Sequence, residues 1–91
     1  MSYTATYKPG FFKDVLKLPR EARERLALAV EHIRKDPFAV PARKLFGQAH
    51  LYRYRMGDYR IVYYIDNPAR KIIFLVAAHR KDVYRRLDKR G

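Results

Sequence analysis

Four arginines, a histidine and a tyrosine in the second half of this 91-residue chain have the types and spacing of a phosphate-handling site. Arg53 and Arg55 alternate with Tyr52 and Tyr54. Arg60 follows a Gly57-Asp58 turn, and His79-Arg80-Lys81-Asp82-Val83-Tyr84 closes a strongly apolar run. Period-two alternation puts Arg53 and Arg55 on one face of a strand and the two tyrosines on the other. Arg55 and Arg60 flank a tight turn, and residues opposite each other on antiparallel neighbours are only about 4.5–5.5 Å apart. Guanidiniums crowded together without paired carboxylates repel until an anion joins them, and their planar fork matches phosphate oxygens. The expected ligand is a phosphate backbone, with tyrosine rings at hand for stacked bases.

His79, Arg80 and Tyr84 together cover the needs of ribonuclease-type cleavage. That reaction requires a proton acceptor for the 2′-hydroxyl, stabilisation of the pentavalent phosphorane and a proton donor to the leaving 5′-oxygen. Tyrosine's unperturbed pKa of about 10 makes it a poor base, and neighbouring guanidiniums favour its phenolate form. Plainer roles stand beside these: His79 as a satisfied strand-end histidine, Tyr84 as an amphipathic lid over the sheet edge. Tyr52, Tyr54, Tyr63 and Tyr64 also suit a half-buried sheet, so half or more are expected in the core or at its edge. Other chemistry lacks support. His32, His50 and His79 are far apart and near no metal-ligand motif. Asp58, Asp66 and Asp82 read as turn or capping residues. No dinucleotide fingerprint, P-loop or nucleophile elbow is present, and no metal or cofactor is expected.

The overall charge agrees with a polyanionic partner. With 21 Lys+Arg against 9 Asp+Glu, the formal charge is +12, which favours nucleic acid or an acidic protein. An apolar fraction of 48% is ordinary for a globular protein, so this charge does not imply disorder. The absence of cysteine excludes disulfides and thiolate zinc sites. No apolar run approaches the roughly 20 residues of a membrane span, and MSYTATYKPG lacks the hydrophobic segment of a signal peptide. A cytoplasmic protein is expected.

These residues must be positioned by a small number of elements, and the length suits one domain over residues 1–91. Tyr3 to Tyr7 alternates strand formers, and Pro9-Gly10 ends the run. Phe11, Phe12, Val15, Leu16 and Leu18 have the spacing of a short helix. Arg20 to Lys35 is the clearest helix, with Ala22, Leu26, Ala29, Val30 and Ile33 on one face, Pro19 at its start and Pro37 beyond its end. A connector follows from Pro37 to Pro41, then Arg43-Lys44-Leu45-Phe46-Gly47, partly ordered against the core. Leu51 to Met56, Tyr59 to Asp66 and Lys71 to Ala78 read as strands joined by turns at Gly57-Asp58 and Asn67-Pro68. The expected fold is α+β: a small antiparallel sheet in the order β-α-α-β-β-β. Its two N-terminal helices pack on one face, and Lys81 to Lys89 forms a short C-terminal helix or tail.

That element order, with the motifs GDYRIVYYI and AAHRKDVYRRL, closely resembles the RelE branch of the RelE/ParE toxin superfamily over nearly the whole chain. The resemblance implies the toxin of a type II toxin–antitoxin system, a metal-independent endoribonuclease that cleaves mRNA in the ribosomal A site. It implies as partners the 70S ribosome with its mRNA and a cognate antitoxin whose acidic segment wraps the basic surface. Carried over by position, Arg60 holds the scissile phosphate, Arg80 stabilises the transition state, and Tyr84 orients the nucleotide or acts as base. The family's basic second-strand residues fall on Arg53 and Arg55, and Lys81 and Arg85 complete the expected phosphate-binding set. Some relatives carry lysine where this chain has Arg53 and Arg55. Arginine stays charged, so the base expected here is Tyr84 or His79. Two alternatives share these features: a ParE-like inhibitor of DNA gyrase, and a non-catalytic RNA- or ribosome-binding module.

Overall fold

The computed structural model describes residues 2–45 and 47–90, so Phe46, in the segment after the connector, lies outside the described residues. The chain runs β1 (Thr4–Tyr7), α1 (Pro9–Lys17), α2 (Arg20–Lys35), β2 (Ala42–Lys44), β3 (Leu51–Met56), β4 (Tyr59–Asp66), β5 (Lys71–His79) and α3 (Val83–Arg90). The strands form one sheet in the order β1-β5-β4-β3-β2. β3, β4 and β5 are the antiparallel meander read from the sequence. The sheet departs from that reading in two ways. β1 pairs with β5 in parallel, because the α1–α2 hairpin carries the chain across one face before it returns. The segment after the Pro37 to Pro41 connector also contributes a three-residue edge strand, β2, paired antiparallel with β3.

Local chemistry accounts for the boundaries. Pro9 occupies the first turn of α1, where a missing N–H costs nothing. α2 stops at Asp36, whose Oδ1 accepts from the Phe38 N–H, with Pro37 between them. β3 and β4 are joined through Gly57 and Asp58 alone, and Gly57 has φ +59°, the position a II′ turn reserves for glycine. A Cβ there would also come 3.0 Å from the Arg25 guanidinium.

Both faces of the central strands are covered. α1 and α2 bury Phe11, Leu26 and Ile33 against Ile61, Tyr63, Ile72 and Phe74. On the opposite face Val83 and Leu87 of α3 pack on Val62, Val76 and Ala78. A register step between Val62 and Tyr63 forms a bulge at Leu75 of β5. It brings Leu75 and Val76 together on the α3 side. This double burial is why Lys71 to Ala78 is almost continuously apolar.

α1 turns differently from its apolar spacing. Phe11, Val15 and Leu18 face the core, whereas Phe12 and Leu16 are exposed. The fourth inward position is Asp14, only 1% exposed. Its Oδ2 accepts from the Ala77 N–H at 3.0 Å, and its Oδ1 accepts from Arg86 Nη1 of α3 at 3.0 Å. The paired register of β1 on β5 ends at Tyr7 and Phe74. Asp14 therefore serves the β5 edge where a strand neighbour is missing, and the same carboxylate ties α3 to α1.

Tyr52, Tyr54 and Tyr63 lie on the helix-covered face, Tyr63 in the core and the other two half-buried against it, on the side away from the arginines. Tyr63 is fully buried between Tyr52 and Phe74, and its hydroxyl has no hydrogen-bond partner among the described residues. Burial, then Tyr54 and Tyr52, pushes its phenol well above the ordinary tyrosine value. Tyr63→Phe, which removes a desolvated and unsatisfied hydroxyl, is expected to stabilise the protein by about 1 kcal/mol. Urea unfolding checks this; a loss of stability would reveal a partner for the hydroxyl.

Candidate active site

The face opposite α1 and α2 carries the arginines. Register pairs Arg55 with Arg60 and Arg53 with Val62, a residue of the α3-side core, so all three guanidiniums leave the sheet on one side. They line a cleft of about 630 Å³ with Pro41, Gly57 and Arg43. Arg43 enters because β2 sets it directly opposite Arg53. It lies in a segment whose brevity leaves almost no period to read, and for that reason it is absent from the sequence-derived set. Among the described residues, none of Arg43, Arg53, Arg55, Arg60 or Arg80 is paired with a carboxylate. The ion pairs present are Arg20–Glu24, Arg34–Glu31, Arg85–Asp82 and Arg86–Asp14.

The β3–β4 turn fixes two of these residues. Arg60 Nη1 donates to the carbonyls of Gly57 at 2.8 Å and Tyr59 at 2.9 Å, which folds the guanidinium back over its own hairpin. The Arg80 N–H donates to the Asp58 carbonyl at 2.8 Å, which pins the start of the β5–α3 turn beside the same hairpin. Partial burial, then the like charges of Arg55 and Arg53 and, more weakly, Arg80, lower the Arg60 pKa, while Tyr84 acts in the opposite sense. The arginine remains cationic, but its charged form is the one that an incoming anion would relieve.

Tyr84 sits on the first turn of α3, 41% exposed. Val83 and Leu87 hold that helix on the sheet, and Arg53 Nη1 donates to the Tyr84 hydroxyl. The tyrosine thus stands beside the cationic cleft, joined to it through Arg53.

The remaining expected residues fall elsewhere. His79 pairs with Tyr59, a neighbour of the helix-side core, so it leaves the sheet on the face opposite Arg60. Its ring meets Tyr59 edge-on at 5.8 Å, and its Nδ1 accepts from the Lys81 N–H at 3.1 Å. The structure therefore separates His79 from the arginine cluster, because strand alternation sends Ala78, the partner of Arg60, and His79 to opposite sides. Its visible role is to hold the turn that carries Arg80. Lys81 is exposed in that turn, and Arg85 makes a 2.8 Å ion pair with Asp82 on α3. Tyr64 is half-buried beside His50, away from the arginines. Among the described residues no group of three or more His, Cys, Asp or Glu side chains could hold a metal ion, and no helix is long and apolar enough to cross a membrane.

What the arrangement offers is a set of fixed positive charges for a phosphate and a tyrosine hydroxyl at its edge. Comparison with known proteins identifies the family. The family described as ParE toxin of the type II toxin–antitoxin system parDE matches residues 6–84. Toxin RelG of Mycobacterium tuberculosis is 32% identical over 89 residues, covering 94% of this chain and 100% of its own. Toxin RelE3 of Methanocaldococcus jannaschii is 31% identical over 78 residues, covering 81% of this chain and 86% of its own. The archaeal RelE–RelB complex of Pyrococcus horikoshii contains a chain that superposes with a TM-score of 0.76 at 26% identity, covering 88% of this chain and 97% of that one. The α+β architecture is thus that of RelE structures, and this chain belongs to the RelE/ParE superfamily of type II toxins.

Proposed function

We propose that this toxin is a ribosome-dependent endoribonuclease that cleaves mRNA in the A site without a metal. The observation that carries this reading is the cleft of Arg53, Arg55 and Arg60, free of carboxylate partners among the described residues, with Tyr84 held beside it by Arg53. In the proposed reaction the 2′-oxygen attacks the adjacent phosphorus, the bond from phosphorus to the 5′-oxygen breaks, and a 2′,3′-cyclic phosphate and a 5′-hydroxyl result. Arg60 and Arg55 hold the scissile phosphate, and Arg80 neutralises the charge that builds on the phosphorane. Arginine does not surrender its proton, so the 2′-hydroxyl proton passes to the phenolate oxygen of Tyr84, which accepts a hydrogen bond from Arg53, and a solvent water gives the leaving 5′-oxygen its proton. His79, on the other face, positions Arg80. The same cationic face would take the acidic segment of an antitoxin, a partner that the Pyrococcus horikoshii complex holds in its own case.

A ParE-like inhibition of DNA gyrase is the second reading, favoured by the description of the matching family. One experiment separates the two. The purified protein is added to ribosomes programmed with a defined A-site codon, and the mRNA is mapped by primer extension. Discrete cuts within that codon are expected. A folded protein that leaves the mRNA intact but blocks supercoiling by gyrase would overturn the nuclease reading.

A further inference from the structure

Arg43 has no structural task. Its side chain is exposed on a three-residue edge strand, and no hydrogen bond or ion pair engages it among the described residues. The fold nevertheless places it directly opposite another arginine, Arg53, on the same face. One strand over, Arg55 stands directly opposite Arg60. Like charges opposed across strands are destabilising, and here two such pairs are built side by side.

Their spacing is informative. Arg53 and Arg55 are two residues apart on one strand, so the pairs are offset by about 7 Å along it, close to the separation of neighbouring phosphates in a single-stranded chain. Arg43 and Arg53 also line a second cleft of about 500 Å³, where Lys44 adds a third cation, Gln48, Tyr84 and Leu87 form the walls, and Asp88 is the single carboxylate among the described lining residues. Because both residues line both clefts, the two adjoin along the Arg43–Arg53 pair, between the Gly57 turn and α3. Together they are longer than one phosphate needs, with Tyr84 beside the second pair of cations.

We infer that Arg43, with Arg53, binds the phosphate that neighbours the scissile one in the same RNA strand, so that the toxin requires a charged linkage beside the cut. This deepens the nuclease reading above and rests on it for the identity of the strand. Arg43 is a binding residue that sets the length of RNA engaged, while Arg60 and Arg80 serve the reacting phosphate.

The test uses ribosomes programmed with mRNAs in which one linkage, immediately 5′ or immediately 3′ of the cut, is an uncharged methylphosphonate. Affinity is measured on versions with a 2′-deoxy nucleotide at the cut, and cleavage is measured in parallel on the ribose versions. For the parent protein, one of the two substitutions is expected to weaken binding about tenfold, the size of a lost charge-assisted contact. Arg43→Ala should weaken binding to all-phosphate mRNA by a similar factor and be indifferent to that same substitution, while Arg43→Lys recovers part of the loss. Circular dichroism confirms that both variants fold. Losses that multiply at both positions, or an Arg43→Ala protein that binds like the parent, would overturn the inference. A parent that shows the coupling in affinity yet cuts nothing would instead remove the nuclease reading and leave the phosphate site standing. A parent that neither binds nor cuts would remove both.

Discussion

Replacing Arg80 by alanine is expected to lower the A-site cleavage rate by about 10²–10³-fold, the usual cost of losing one preorganised donor to a developing oxyanion. The structure isolates this effect from stability. Arg80 is exposed, and among the described residues it is held by its backbone N–H, which donates to the Asp58 carbonyl and which alanine retains. Side-chain truncation at such a surface position typically changes stability by no more than about 0.5 kcal/mol. Single-turnover cleavage on programmed ribosomes, read beside thermal unfolding, separates chemistry from fold. A folded Arg80→Ala protein that cuts at the parent rate would remove Arg80 from the transition state and leave Arg60 and Arg55 as the charges that matter.

The largest effect on stability should come from a residue outside the cleft. Asp14→Ala leaves the buried Ala77 N–H without its acceptor and Arg86 without its counter-ion. An orphaned buried amide costs about 1–3 kcal/mol, and breaking a buried ion pair costs at least as much. Arg86 is 29% exposed and regains water, so the combined loss is about 2–4 kcal/mol, below the simple sum. In a domain of this size each kcal/mol moves the unfolding temperature by roughly 4–8 °C. Calorimetry would register the drop at once. A change under about 0.5 kcal/mol would show that neither bond matters to stability. Asp14→Asn is the finer probe, since its amide oxygen can still accept from Ala77 while its NH₂ group meets Arg86. Because Arg86 lies two residues from Tyr84 on α3, the Asn variant should also loosen the hold on Tyr84 beside the cleft. Its cleavage rate should fall more than its stability does.

Much of the architecture was legible because the relevant signals are local. The α2 face of Ala22, Leu26, Ala29, Val30 and Ile33, bounded by Pro19 and Pro37, appears with those limits. The alternation of Tyr52, Arg53, Tyr54 and Arg55 assigned opposite faces correctly, and the Gly57-Asp58 turn set Arg55 against Arg60. Where periodicity was misleading, a long-range partner had overridden it. Apolar spacing in α1 pointed to Phe12 and Leu16 as readily as to Phe11. The structure turns Asp14 inward instead, because the unpaired edge of β5 needs an acceptor. An acidic residue three positions after Phe11 and one before Val15, in the middle of the core stripe, was the signal that marked it.

The sequence alone therefore determined the two N-terminal helices, the three-strand meander, the charge and the common face of Arg53 and Arg55, since period and turn chemistry act over a few residues. Tertiary structure decided the rest. The parallel seam of β1 on β5 exists because the α1–α2 crossover brings distant segments together. His79 is set apart from Arg60 by the face on which its strand end pairs with Tyr59. Arg43 joins the cleft through an edge strand too short to carry a pattern, and Tyr84 reaches it through the packing of α3. Each of these depends on which segments touch, and contact between segments far apart in the chain leaves no period to read.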